Sequence, residues 1–158
     1  PDHDHFGAAL AGIRFDPHWD AVGAPFGIAS LAIGTPNMNT FQGGFTVLRG
    51  TTAGLGPSYK VGLFGSDFGA APDNAAENQS FGGVFATGDF DANGYDDLAI
   101  GVPGEAGVGA IQVVFGSQWG LLFAENLLWQ ETSIGGQSEG GDLFGQALAA
   151  GDFDGEVS

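Results

Sequence analysis

The stretch Asp89-Phe-Asp91-Ala-Asn93-Gly94-Tyr95-Asp96-Asp97 carries the densest group of residues able to do chemistry in this chain. Oxygen-bearing side chains stand at its first, third, fifth and ninth positions, as Asp89, Asp91, Asn93 and Asp97. In a tight turn such a set can converge on one hard cation, which takes six to eight oxygens at about 2.3–2.6 Å. Gly94, at position six, suits the sharp backbone turn such a loop needs. A helix-flanked calcium loop closes with a bidentate Glu at position twelve. Here that position is Ile100, within the apolar run Leu98-Ala99-Ile100, so closure falls to Asp97 and the chain leaves the loop as a strand. The alternative reading is an ion-free turn, because Asp, Asn and Gly favour turns for their own reasons.

The elements that position this loop recur along the chain. Phe81-Gly82 through Gly88-Asp89-Phe90-Asp91 matches Phe144-Gly145 through Gly151-Asp152-Phe153-Asp154 without a gap, 63 residues later. Such a period marks a repeat architecture. A further copy starts at Phe6-Gly7, resumes at Leu31-Ala32-Ile33-Gly34 opposite Leu98-Ala99-Ile100-Gly101, and ends with Gly43–Leu55 opposite Gly109–Leu121. The repeats run 6–80, 81–143 and 144–158, the first degenerate with a loop insertion at 16–30 and the third truncated. Arg14 stands in the first copy where Asp89 stands in the second. A guanidinium cannot ligate a cation, so the loop from Asp16 to Ser30 is expected to be metal-free.

Each copy holds three short apolar stretches bounded by glycine, around Val84–Phe90, Leu98–Val102 and Ala110–Phe115 in the second, with a weaker fourth near Leu127–Thr132. Four short antiparallel strands per unit are what a propeller blade requires, and the expected class is all-β. Thirty glycines and fourteen phenylalanines in 158 residues agree, since glycine weakens helices. An apolar content of 43% and a mean hydropathy of +0.09 argue for a folded chain.

These motifs resemble the FG-GAP repeat of integrin α-subunit propellers and of many bacterial surface proteins, closely over 81–121, loosely over 6–55, and over 144–154 as a third beginning. The resemblance implies a seven-bladed β-propeller of which this chain supplies part, calcium in the loop between the first two strands of several blades, and a role in adhesion or protein recognition. The ligands it implies are Asp89, Asp91, Asn93, Asp97 and the carbonyl of Tyr95, with Asp96 turned to solvent. Asp152 and Asp154 make a possible second site, although Val157 stands where its turn glycine belongs.

Net charge sets the partner classes. Three Lys and Arg against nineteen Asp and Glu give −16, which repels phosphate backbones and excludes nucleic acid as a partner. No apolar run is long enough to span a membrane as a helix. Expected partners are a protein, or further blades of the same polypeptide against residues 1–12 and 144–158; a glycan is the alternative, stacked on Trp19, Trp119 or Trp129. An accessory domain of a secreted hydrolase is a third reading. The expected location is extracellular, on the cell surface or periplasmic, and no catalytic residue is assigned. Pro1–His5 is expected to fray rather than bind metal through His3 and His5, and His18 to lie in a solvated loop. Asn78-Gln79-Ser80 is a glycosylation sequon of low specificity.

Overall fold

A computed structural model describes residues 4–15, 28–38, 43–63 and 80–151. Two four-stranded antiparallel sheets carry the fold, each a simple meander with its strands in chain order. The first holds β1 (Leu10–Arg14), β2 (Ala29–Gly34), β3 (Gly44–Thr51) and β4 (Gly54–Leu63). The second holds β5 (Phe85–Gly88), β6 (Asp97–Val102), β7 (Ala110–Val114) and β8 (Asn126–Trp129). Residues 81–102 contain strand, turn and bend, with the acidic loop between β5 and β6, as the sequence predicts.

The two sheets use one pairing register. Leu10 pairs with Ile33 and Ile13 with Ser30 in the first; Phe85 pairs with Ile100 and Gly88 with Asp97 in the second. Gly34 opposite Phe45 is likewise matched by Gly101 opposite Ile111. A one-residue slip would turn every apolar side chain to the wrong face, so a shared register means a shared core pattern. Each Phe-Gly turn also repeats its backbone. His5, Ser80 and Leu143 have φ of 54°, 56° and 55°, followed two residues on by Gly7, Gly82 and Gly145 at 86°, 84° and 84°.

The core lies where the sheets meet. Phe45 of β3 is fully buried, with its ring 5.9 Å from Phe81, 6.1 Å from Phe85 and 5.9 Å from Phe123, in tilted to edge-on arrangements that aromatic quadrupoles favour. Ile13, Ala32, Val47, Leu98, Ile100 and Val114 are also at 0% exposure. All six residues of β6 are buried, which makes it the most enclosed strand whose side chains are described.

The fourth strands differ from the sequence expectation. β8 spans Asn126–Trp129 and stops before Thr132, which lies in a 3-10 turn, Glu131–Ile134, closed by Gly135 in the left-handed region. β4 starts at Gly54, directly after the β3 hairpin, where the second copy has a longer loop before β8. Bulges at Val47/Leu48 and Leu48/Gly50 bend that hairpin, a feature that sequence periodicity does not reveal.

Candidate metal centre

The loop between β5 and β6 gathers Asp89, Asp91 and Asp97, with one carboxylate oxygen of each lying within 4.8 Å of the others. Asp89 and Asp91 are exposed, and Asp97 is fully buried at the start of β6. Gly94 takes φ 88°, the left-handed turn its position calls for, and Ala92 takes 59°.

Backbone amides hold the carboxylates in place. Asn93 N donates to Asp89 Oδ1 at 3.0 Å and to Asp91 Oδ1 at 3.1 Å, and Gly94 N donates to Asp89 Oδ2 at 2.8 Å. Tyr95 N donates to Asn93 Oδ1 at 2.9 Å, while Asn93 Nδ2 reaches Asp91 Oδ2 at 3.1 Å and the Gly116 carbonyl at 3.0 Å. Asp97 accepts from Phe90 N at 2.6 Å and from Gly116 N at 2.7 Å. Each carboxylate oxygen bonded in this way keeps lone-pair capacity for a further partner.

Burial raises the Asp97 carboxyl above its ordinary 3.8; the Gly116 and Phe90 amides pull it back, and the nearby Asp91 and Asp89 push it up again. A cation in the cluster would reverse that cost, because a bound ion is the largest local charge in such a site. The donor set is all oxygen, which suits a hard divalent cation and not a thiolate- or imidazole-seeking metal.

The sequence-derived ligands thus divide. Asp89, Asp91 and Asp97 converge, and Asn93 belongs to the same hydrogen-bonded loop. Tyr95 is half-buried, and its amide, rather than its carbonyl, is the group seen bonded to Asn93. Asp152 and Asp154 lie outside the described residues, as do His3, His18, Trp19, Asn78 and most of the 16–30 loop.

The expectation that Asp96 faces solvent is corrected. Its side chain is only 14% exposed, and Oδ2 accepts from Arg14 N at 2.9 Å and Arg14 Nε at 3.3 Å. Alternation along an extended chain sends Asp97 into its own sheet and Asp96 the other way, and the other way leads to the end of β1. Of the terminal residues expected to fray, the two that are described depart from it: His5 Nδ1 lies 3.0 Å from Asn37 Nδ2, and Asn37 N donates to the Asp4 carbonyl at 3.3 Å. Asp4 and His5 are therefore tied down.

Gly116 is a participant that sequence reasoning missed. A Cβ there would come 2.1 Å from the Asp96 carbonyl oxygen, and one at Gly50, its counterpart in the first copy, 2.2 Å from the Ala29 carbonyl oxygen. Their recurrence at matched positions of the repeat was the available signal.

Residues 81–114 match the family model of the FG-GAP repeat. The matched stretch holds β5, β6 and β7 with the acidic loop between the first two, and the match is consistent with an integrin-like propeller. No curated protein matches the chain.

Proposed function

We propose that this chain contributes calcium-stabilised blades to a non-enzymatic, integrin-like propeller that recognises another protein in adhesion or scaffolding. The observation that carries the calcium reading is the convergence of Asp89 and Asp91 on the buried Asp97. Calcium here holds a hairpin closed, with Asn93 and the Tyr95 carbonyl completing the shell and Asp152 with Asp154 as a second site in the next repeat. The calcium reading carries with it an extracellular, cell-surface or periplasmic location, where modules that bind calcium at about 10⁻⁴–10⁻³ M work. Among the described residues, no helix is long and apolar enough to cross a membrane.

Further blades are the first partner. Phe81 is buried against Phe45, whereas Phe6, at the same place in the first Phe-Gly turn, is 66% exposed, and Leu10 is 63% exposed. At the other end Ile111, which shares Phe45's register, lines an open apolar trough of ≈ 420 Å³ with Phe90, Phe115 and Trp129. Both surfaces suit another sheet of this kind, from the same polypeptide or a neighbouring chain.

A glycan-binding reading is favoured by Trp119, which is 78% exposed in the Ser117–Gly120 turn and free to stack on a sugar ring. Glycan-array binding that vanishes in Trp119→Ala would select it. The protein-recognition reading is tested by thermal unfolding in calcium and in chelator, followed by capture of a protein partner in calcium alone. Equal melting curves would remove the calcium, and calcium-independent capture would separate recognition from it.

A further inference from the structure

In the first repeat the residue at the cation loop's first position has become Arg14, and that residue is bonded to the loop of the next repeat. The contact is reciprocal. Arg14 N and Nε donate to the Asp96 carboxylate, and Asp96 N donates back to the Arg14 carbonyl at 2.9 Å. β1 thereby grips the residue immediately before Asp97, the most buried of the clustered carboxylates. On the opposite side, Gly116 lies against the Asp96 carbonyl while its own amide holds Asp97 and its carbonyl holds Asn93. The loop's exit is thus clamped between the end of the first sheet and the end of β7.

We propose that Asp96, strapped to Arg14, is a positioning residue through which the first sheet sets the cation affinity of the second sheet's loop. This rests on the calcium reading above. Asp96 supplies no ligand; it fixes where the chain turns into β6 and so where the Asp97 carboxylate points. By linkage the effect is mutual, since whatever the strap adds to cation affinity the cation returns to the strength of the joint between the sheets. An exposed ion pair alone is worth little, and Arg14 is 47% exposed, so most of the effect comes from the two bonds made by main-chain amides. The first repeat, with Arg14 at the position of the first acidic residue, thereby acts on its neighbour's loop.

Calorimetric calcium titration of the full chain, as wild type, Asp96→Asn, Asp96→Ala and Arg14→Ala, tests this. Asparagine keeps an oxygen for the Arg14 amide and loses only charge; alanine loses both. The expected result is that Asp96→Ala binds calcium at least about tenfold more weakly than Asp96→Asn, a difference of about 1.4 kcal/mol. Equal weakening would mean that Asp96 acts by charge alone and would overturn the strap while leaving the calcium site standing. Arg14→Ala removes only the exposed guanidinium and keeps both main-chain bonds, so its calcium affinity is expected to stay within about fivefold of wild type, a result that also serves if Asp96→Ala does not fold. A change of about tenfold or more in either direction in Arg14→Ala would mean that the guanidinium charge and not the main-chain strap acts on the site, and would refute the proposal. A wild-type chain that binds no calcium would overturn both this inference and the reading beneath it.

Discussion

Ser30 and Asp97 occupy the same register position in the two sheets and accept a hydrogen bond from the same glycine of the repeat. Gly50 N donates to Ser30 Oγ at 3.1 Å, and Gly116 N to Asp97 Oδ1 at 2.7 Å. The first sheet keeps the structural half of the bond with a neutral hydroxyl and gives up the charge. With Arg14 at position one and Ser30 at position nine, the first loop lacks two acidic groups that the second has. Hairpin closure and acidic charge are thus separable properties of one position. Asp97→Ser is expected to fold with the second sheet intact and to lose most of the difference in melting temperature between calcium and chelator; circular dichroism on both samples checks this.

Calcium is expected to raise the stability of the wild-type chain by mass action, by about 2.7 kcal/mol at a hundredfold excess over Kd. For a chain of this size that is about 5–10 °C in Tm. Asp91→Ala is expected to remove most of the gain while changing the chelator-treated melting point little, because Asp91 is exposed. Scanning calorimetry of both proteins in both buffers decides it.

The pH dependence should differ in sign between the two forms. Burial raises the Asp97 carboxyl in the folded metal-free chain, so between the ordinary 3.8 and that raised value the native state binds more protons than the unfolded one. Metal-free stability from this group therefore falls as pH rises through the window. The calcium form needs Asp97 ionised and loses affinity as pH falls through the same window, at a higher pH than an ordinary carboxylate would require. Melting curves with and without calcium should converge on acidification, and in Asp97→Asn they should lie close together at every pH.

Gly116→Ala is expected to cost about 3 kcal/mol, since a methyl there meets a main-chain oxygen that cannot rotate away. It should also weaken calcium binding, because the Gly116 amide and carbonyl both hold loop side chains. Urea unfolding in chelator isolates the first effect and calorimetric titration the second.

The sheet-to-sheet joint depends on Phe45, whose ring contacts three phenylalanines of the second repeat. Phe45→Ala should cost about 3–5 kcal/mol. A loss under 1 kcal/mol by urea denaturation would mean that the sheets do not pack as described.

The second sheet was legible in the sequence because its signals are local. Gly94 marks a turn, Leu98–Val102 an enclosed strand, and Phe81 the return of a motif, so strand order and loop position followed from residues near one another. The Arg14–Asp96 strap was not legible, since it joins residues 82 positions apart through sheet packing, and an Asp beside a ligand position reads as a solvated neighbour. Asp97 was readable as the closing carboxylate, but its complete burial was not, because that depends on Gly116 and Phe90 folding over it. The bulged β3–β4 hairpin was missed for a similar reason: bulges interrupt the alternation by which strands are recognised.

Every role given to calcium depends on Asp89, Asp91 and Asp97 holding one ion. Calcium stoichiometry by calorimetric titration, compared between the wild-type chain and Asp91→Ala, tests it most directly, because the difference between the two counts is independent of any second site at Asp152 and Asp154. The variant is expected to bind one ion fewer than the wild type in the sub-millimolar range. Equal stoichiometry and equal heats for the two proteins would contradict it.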